Sequence, residues 1–130
     1  MCVFCKIING EIPSYKIYED NNAIAILDIS QATLGHTLIL PKKHYENILE
    51  IPTETLASLA STVKNVTNIL QTKLNPQGFN ILNNCGLAAG QTVMHFHIHI
   101  IPRYNGDDLE IKFNDHGKDF DLKALHEKLI

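Results

Sequence analysis

Three observations predict an α+β fold, a five-stranded antiparallel sheet with one long helix and short helices near both ends. Five short apolar or alternating segments are bounded by Pro, Gly or Asn/Asp clusters. Residues 53–74 repeat their apolar side chains at helical spacing. No linker, internal repeat or low-complexity tract divides the 130 residues, so the Gly and Pro residues punctuate elements of one domain.

In chain order, residues 3–9 make a short apolar turn ending at Gly10, and Pro13 separates it from an alternating strand at 15–19. Asp20-Asn21-Asn22 supplies a turn into a second strand at 23–29. A third strand, 37–40, follows Gly35-His36 and stops at Pro41. Three short strands in succession predict an antiparallel meander. Between 53 and 74, Leu56, Leu59, Ala60, Val63, Val66, Leu70 and Leu74 form one apolar stripe, with Thr53 as N-cap after Pro52 and Asn75-Pro76 as the stop. Residues 79–83 read as a fourth strand, 84–91 as a loop, and 94–101 as a fifth strand ending at Pro102. Beyond Arg103 the chain is polar and turn-rich until Leu122, Leu125 and Leu129 mark a short final helix. The domain spans 1–130, with a motif-bearing core at 2–103 and a tail at 104–130.

With 45% apolar residues the chain supports one substantial core. The formal charge is −3, and the 11 basic residues are scattered apart from Lys42-Lys43, which argues against a surface that tracks nucleic-acid phosphates. A phosphate ligand would need a few local donors instead. No apolar run approaches the roughly 20 residues of a membrane span, and the first residues do not resemble a secretory leader. Three cysteines, an odd number, fit reduced thiols in a cytoplasmic protein better than a disulfide framework.

The densest chemistry lies in His95-Phe96-His97-Ile98-His99. In a strand these three imidazoles share one face, while Phe96, Ile98 and Ile100 turn to the other and pack under the long helix. Upstream, the loop 84–92 combines Gly86 and Gly90 with amide and hydroxyl donors, so its backbone can approach phosphate oxygens. Asp28 ends an apolar strand, where a carboxylate can accept two hydrogen bonds from a ribose diol. Cys2-x-x-Cys5 has zinc-knuckle spacing and needs two further ligands, for which His36, His44, His95, His116 and His126 are available.

The histidine pentad, preceded by Gly90-Gln91-Thr92-Val93 and followed by Ile100-Ile101-Pro102-Arg103, resembles the histidine triad family of nucleotide hydrolases and transferases. Asp28-Ile29-Ser30, then Gly35-His36 through Pro41-Lys42-Lys43-His44, resembles the family's central block at matching spacing. The resemblance implies the histidine triad fold, a homodimer, and cleavage at the α-phosphate of a purine nucleotide, with adenosine the expected base. It implies His97 as nucleophile, His99 and Thr92 near the phosphate oxygens and leaving group, and His36 in support. It also implies Asn84 and Gln91 as phosphate-side amides, Asp28 as the ribose carboxylate, and Val3, Phe4, Ile7, Ile26 and Ile29 as the base pocket. In members of the bacterial type, Cys2, Cys5, His44 and His95 would bind one structural zinc. No organic cofactor is expected, and Cys85 is left as an ordinary thiol.

Thr92 stands where many phosphoramidase members carry Ser, and the chain lacks the tryptophan of their C-terminal segment. Gln91-Thr92 and Pro102-Arg103 also resemble the dinucleoside polyphosphate hydrolase branch. Nucleoside phosphoramidates and dinucleoside polyphosphates are therefore both candidate substrates. Two further readings stay open: a metal hydrolase with His95, His97 and His99 as ligands, and a non-enzymatic nucleotide- or zinc-binding module.

Overall fold

The computed structural model describes residues 2–130. Five strands form one antiparallel sheet in the order β1-β2-β3-β5-β4. They are β1 Lys16–Glu19, β2 Ala23–Leu27, β3 Thr37–Pro41, β4 Gly78–Leu82 and β5 Ile98–Arg103. Three helices accompany them: α1 Val3–Ile8, α2 Thr53–Leu74 and α3 Leu122–Leu129. This is the predicted α+β architecture.

Helix α2 occupies the predicted span because its stripe has an apolar surface to cover. Leu59, Val63, Val66 and Leu70 pack on Ala23, Ala25, Ile39, Ile98 and Ile100 from three central strands, with Phe96 beside them. Burial of that stripe, at roughly 25 cal/mol per Å² of apolar surface, stabilises the helix far more than its intrinsic propensity. Asn75 ends it in the left-handed conformation at φ 50°, its N–H bonded to the Gln71 carbonyl. Thr53 is not the N-cap. Pro52 holds that position in extended geometry, and its carbonyl accepts the Leu56 N–H.

The opposite sheet face is also covered. Ile24, Ile26, Leu38 and Leu40 pack against Phe4 of α1, with Cys2, Ile7, Ile8 and Val93 around them. Strands β2 and β3 are therefore buried on both faces and read as apolar runs rather than alternations.

Two strand boundaries differ from expectation in a way that shapes the site. β2 ends at Leu27, which releases Asp28 into an Asx turn where its Oδ1 accepts the Ser30 N–H at 2.8 Å. β5 begins at Ile98, not at 94, and continues through Pro102 to Arg103. Residues 93–97 follow the 41–46 segment instead: the Phe96 N–H bonds the Tyr45 carbonyl, and His95 Nε2 donates to the Pro41 carbonyl at 3.0 Å.

Gly35 lets the chain turn tightly before β3. Its φ is +94°, and a Cβ there would lie 2.5 Å from Leu74 Cδ1, so neither the conformation nor the space suits a side chain. Beyond the sheet, residues 111–130 are exposed throughout, including the α3 leucines. Among the described residues no helix is long and apolar enough to cross a membrane.

Candidate active site and metal centre

A cavity of about 460 Å³ opens between α1, the β2–β3 connection and the segment before β5. Val3, Phe4, Ile7, Ile26 and Leu38 give it an apolar lining, while Asp28, Ser30, Asn84, Gly90, Thr92, His97 and His99 contribute polar groups. Apolar walls with a few convergent polar groups suit a small organic ligand that carries an anionic part. Ile29 lines the cavity as well, although it is 90% exposed.

The alternation along 95–99 does not give three equivalent imidazoles. His97 is buried and its Nδ1 lies 2.7 Å from the His95 carbonyl. A carbonyl only accepts, so the partner assigns the proton to Nδ1 and the lone pair to Nε2, which has no hydrogen-bond partner among the described residues. Asn83, not singled out from the sequence, holds the same backbone by donating to the His97 carbonyl at 2.8 Å.

His36 and His99 form a second directional chain. The Ala32 N–H donates to His36 Nδ1 at 3.1 Å, which leaves the proton on His36 Nε2. That nitrogen lies 2.9 Å from His99 Nδ1 and 3.5 Å from Asp28 Oδ2. His99 Nδ1 therefore accepts, and its own proton sits on Nε2. His36 does not line the cavity; it stands behind His99, in hydrogen-bond contact with its ring. Burial pushes the His99 pKa down to about 4, with His97 and His36 adding to the effect and Asp28 opposing it. Burial lowers His36 too, against the pull of the Asp28 charge.

His95 faces elsewhere. With its Nε2 proton on the Pro41 carbonyl, its Nδ1 lone pair points at Cys2 Sγ, Cys5 Sγ and His44 Nδ1. The six separations among these four atoms run from 3.1 to 3.6 Å. A tetrahedral zinc with bonds of about 2.3 Å to sulfur and 2.0–2.1 Å to nitrogen has ligand edges of roughly 3.3–3.8 Å, so the set has the size and chemistry for that ion, with the sulfur pair drawn closer, at 3.1 Å, than a bound zinc would hold it. Both thiols are free, and lone pairs converging on one point call for a cation. His95, His97 and His99 do not group as metal ligands. The geometry argues against the tri-histidine reading because the three rings do not converge: His95 turns its Nδ1 to the cysteines and His44, while His97 and His99 line the cavity.

One other expectation is corrected. Gln91, expected beside the phosphate, is 1% exposed and absent from the cavity lining. Its Oε1 accepts the Gly86 N–H at 2.9 Å, and its Nε2 donates to the Glu46 and Val93 carbonyls. It braces the loop from within. Ile12, Pro13 and Ser14 line the cavity without having been anticipated, since a short polar-apolar loop carries no periodic signal.

The family model of the HIT domain matches residues 9–106, well over half of the chain, and the protein belongs to that family. An uncharacterized HIT-like protein of Methanocaldococcus jannaschii is 51% identical over 129 residues, covering 99% of this chain and 98% of its own. Adenylylsulfatase HINT3 of Arabidopsis thaliana is 46% identical over 108 residues, 83% of this chain; the match spans 55% of that longer protein. Among solved structures, a HIT family protein from Bacillus anthracis superposes with a TM-score of 0.92 at 43% identity, covering 98% of this chain and 92% of that one. A Zn-bound histidine triad family protein from Mycobacterium smegmatis gives 0.80 at 42% identity, with 90% and 86% covered.

The depressed histidines make stability pH-dependent. An unfolded His99 takes up a proton near its ordinary value of 6.5, whereas the folded one resists until about pH 4. Between these values the unfolded chain binds more protons, so stability falls as the pH drops, and His36 adds an effect of the same sign. Urea midpoints measured at pH 7.5, 5.5 and 4.5 should decline steadily, and less steeply in His99→Gln. Equal slopes in the two proteins would contradict the assignment.

Proposed function

We propose that the protein is a nucleotide hydrolase or transferase that cleaves at the α-phosphate of purine nucleotides through a covalent nucleotidyl-His97 intermediate. The observation that carries the reading is the His97 Nδ1 bond to the His95 carbonyl, which leaves a Nε2 lone pair on a ring lining the cavity. An imidazole held in this tautomer is a ready nucleophile at neutral pH.

In the first step His97 Nε2 bonds to the α-phosphorus as the bond from phosphorus to the leaving nitrogen or oxygen breaks, and the departing group takes a proton from solvent. The ring gains positive charge, which its Nδ1–H shares with the His95 carbonyl. Neutral His99 donates its Nε2–H, and Thr92 its hydroxyl, to the phosphate oxygens, with Asn84 beside them. Water then attacks phosphorus, releases the nucleoside monophosphate and restores His97. Asp28 receives the ribose hydroxyls, and Val3, Phe4, Ile7, Ile26 and Ile29 receive the base.

Adenosine phosphoramidates are the favoured substrates. The adenylylsulfatase name of the Arabidopsis relative supports an adenylyl group. Two residues that pointed to dinucleoside polyphosphates are occupied otherwise: Gln91 braces its loop, and Arg103 makes paired bonds to Asp107 at 2.9 Å and one to Asn80 at 2.7 Å.

We further propose that Cys2, Cys5, His44 and His95 hold one zinc, supported by their spacing and by the Zn-bound relative. Four protein ligands leave no open position, so the ion would tie α1 to the sheet and take no part in the reaction. A homodimer is supported by the apolar groups of the tail, among them Phe113 at 90% exposure, and by Ile81 on the edge strand β4. Free thiols at Cys2, Cys5 and Cys85 support a cytoplasmic setting.

His97→Ala should lower turnover of adenosine 5′-phosphoramidate by about a thousandfold or more while adenosine monophosphate still binds. Rapid-quench mass spectrometry of the wild type should find a nucleotidyl adduct on His97. Undiminished turnover in the variant would end the proposal. Native mass spectrometry of protein purified without chelator should show two chains with two zinc ions; a monomer would remove the dimer and a metal-free mass the zinc.

A further inference from the structure

The connection from β2 to β3 carries Asp28 and His36, and neither lies inside a strand. Between them sits Gln31, exposed to solvent yet with its whole amide engaged. Nε2 donates to the Asp28 carbonyl at 2.6 Å and the His36 carbonyl at 2.7 Å. Oε1 accepts from the Gly35 N–H at 2.8 Å and the His36 N–H at 3.2 Å. A primary amide has two N–H groups and two lone pairs, so its capacity is filled by backbone at both ends of one loop.

We infer that Gln31 is the positioning residue that sets Asp28 and His36 relative to each other, and through them the proton polarity of His99. This rests on the nucleotide reading above for its functional meaning. The neighbouring Ala32 N–H, held in place by the same knot, fixes the proton of His36 on Nε2. There the proton is bonded to His99 Nδ1 at 2.9 Å, with Asp28 Oδ2 standing beside it at 3.5 Å as the competing acceptor. Asp28 Oδ1 is already taken by the Ser30 N–H, so Oδ2 is the oxygen that meets both His36 and a sugar hydroxyl. A sugar bound to Asp28 occupies that oxygen and removes it as a competitor, so the His36 Nε2–H stays committed to His99. His99 in turn keeps its Nε2–H for the phosphate. Gln31 thus couples sugar recognition to the donor at the phosphate without touching the ligand.

Two variants of the full-length protein test this. Gln31→Met keeps the side-chain length and removes all four bonds. Gln31→Glu keeps an acceptor and sets a carboxylate against two carbonyls. Nitrogen-15 spectra of the His36 and His99 rings report which nitrogen carries the proton, calorimetry reports binding of adenosine 5′-monophosphate, and thermal unfolding reports the fold. In both variants we expect a folded protein, His36 passing from a pure Nε2–H form to a mixture of tautomers, and nucleotide affinity about tenfold weaker. Wild-type ring spectra in Gln31→Met would overturn the inference, as would weakened binding with unchanged spectra, which would make Gln31 a mere loop brace. Failure of the nucleotide reading looks different: the wild type would not bind the nucleotide, while the ring spectra still separate the variants from it.

Discussion

A single hydrogen bond, 2.7 Å from His97 Nδ1 to the carbonyl of His95, orients the chemistry of this molecule. Residue 95 serves two sites at once. Its ring turns to the cysteines, and its carbonyl turns to the ring two residues on. The bond decides which nitrogen of His97 is basic, and on the proposed mechanism it supplies a negative dipole where positive charge would develop at the ring. Asn83 holds the His97 carbonyl from the β4 side, and the burial of Phe96 under α2 anchors the peptide between the two histidines.

Helix α1 links the Cys2, Cys5, His44 and His95 cluster to the cavity through packing. Cys2 caps the helix, its Sγ accepting the Cys5 N–H, and both thiols meet His44 and His95. One turn of the same helix presents Phe4, whose ring stands edge-on to His95 and His97 at 5.9 and 5.1 Å between centroids. So short a helix is not stable by itself. Its place depends on the apolar cluster beneath it and, on our proposal, on the zinc at its start.

The long helix was legible because one stripe, Leu59 to Leu70, satisfies the helical period and little else competes at that length. The cavity was legible at Asp28, Asn84, Thr92, His97 and His99, where unusual residue types sit at family spacing. The start of β5 was not. Alternating His95, His97 and His99 mimic a strand, but the segment around His95 bonds to 41–46, a partner that only the tertiary fold supplies. Gln91 misled for a related reason: its sequence position offers an amide to a ligand, while the backbone of Gly86, Glu46 and Val93 claims it first. Gln31 left no signal at all, since the four groups it binds converge only when the loop between β2 and β3 closes.

The most direct test of the central claim is the tautomer of His97 itself, read from long-range nitrogen-15 to proton correlations of its ring in the nucleotide-free protein at pH 8. The proton should reside on Nδ1, with Nε2 showing the shift of an unprotonated nitrogen. A proton on Nε2 would place the lone pair against the His95 carbonyl and contradict the account.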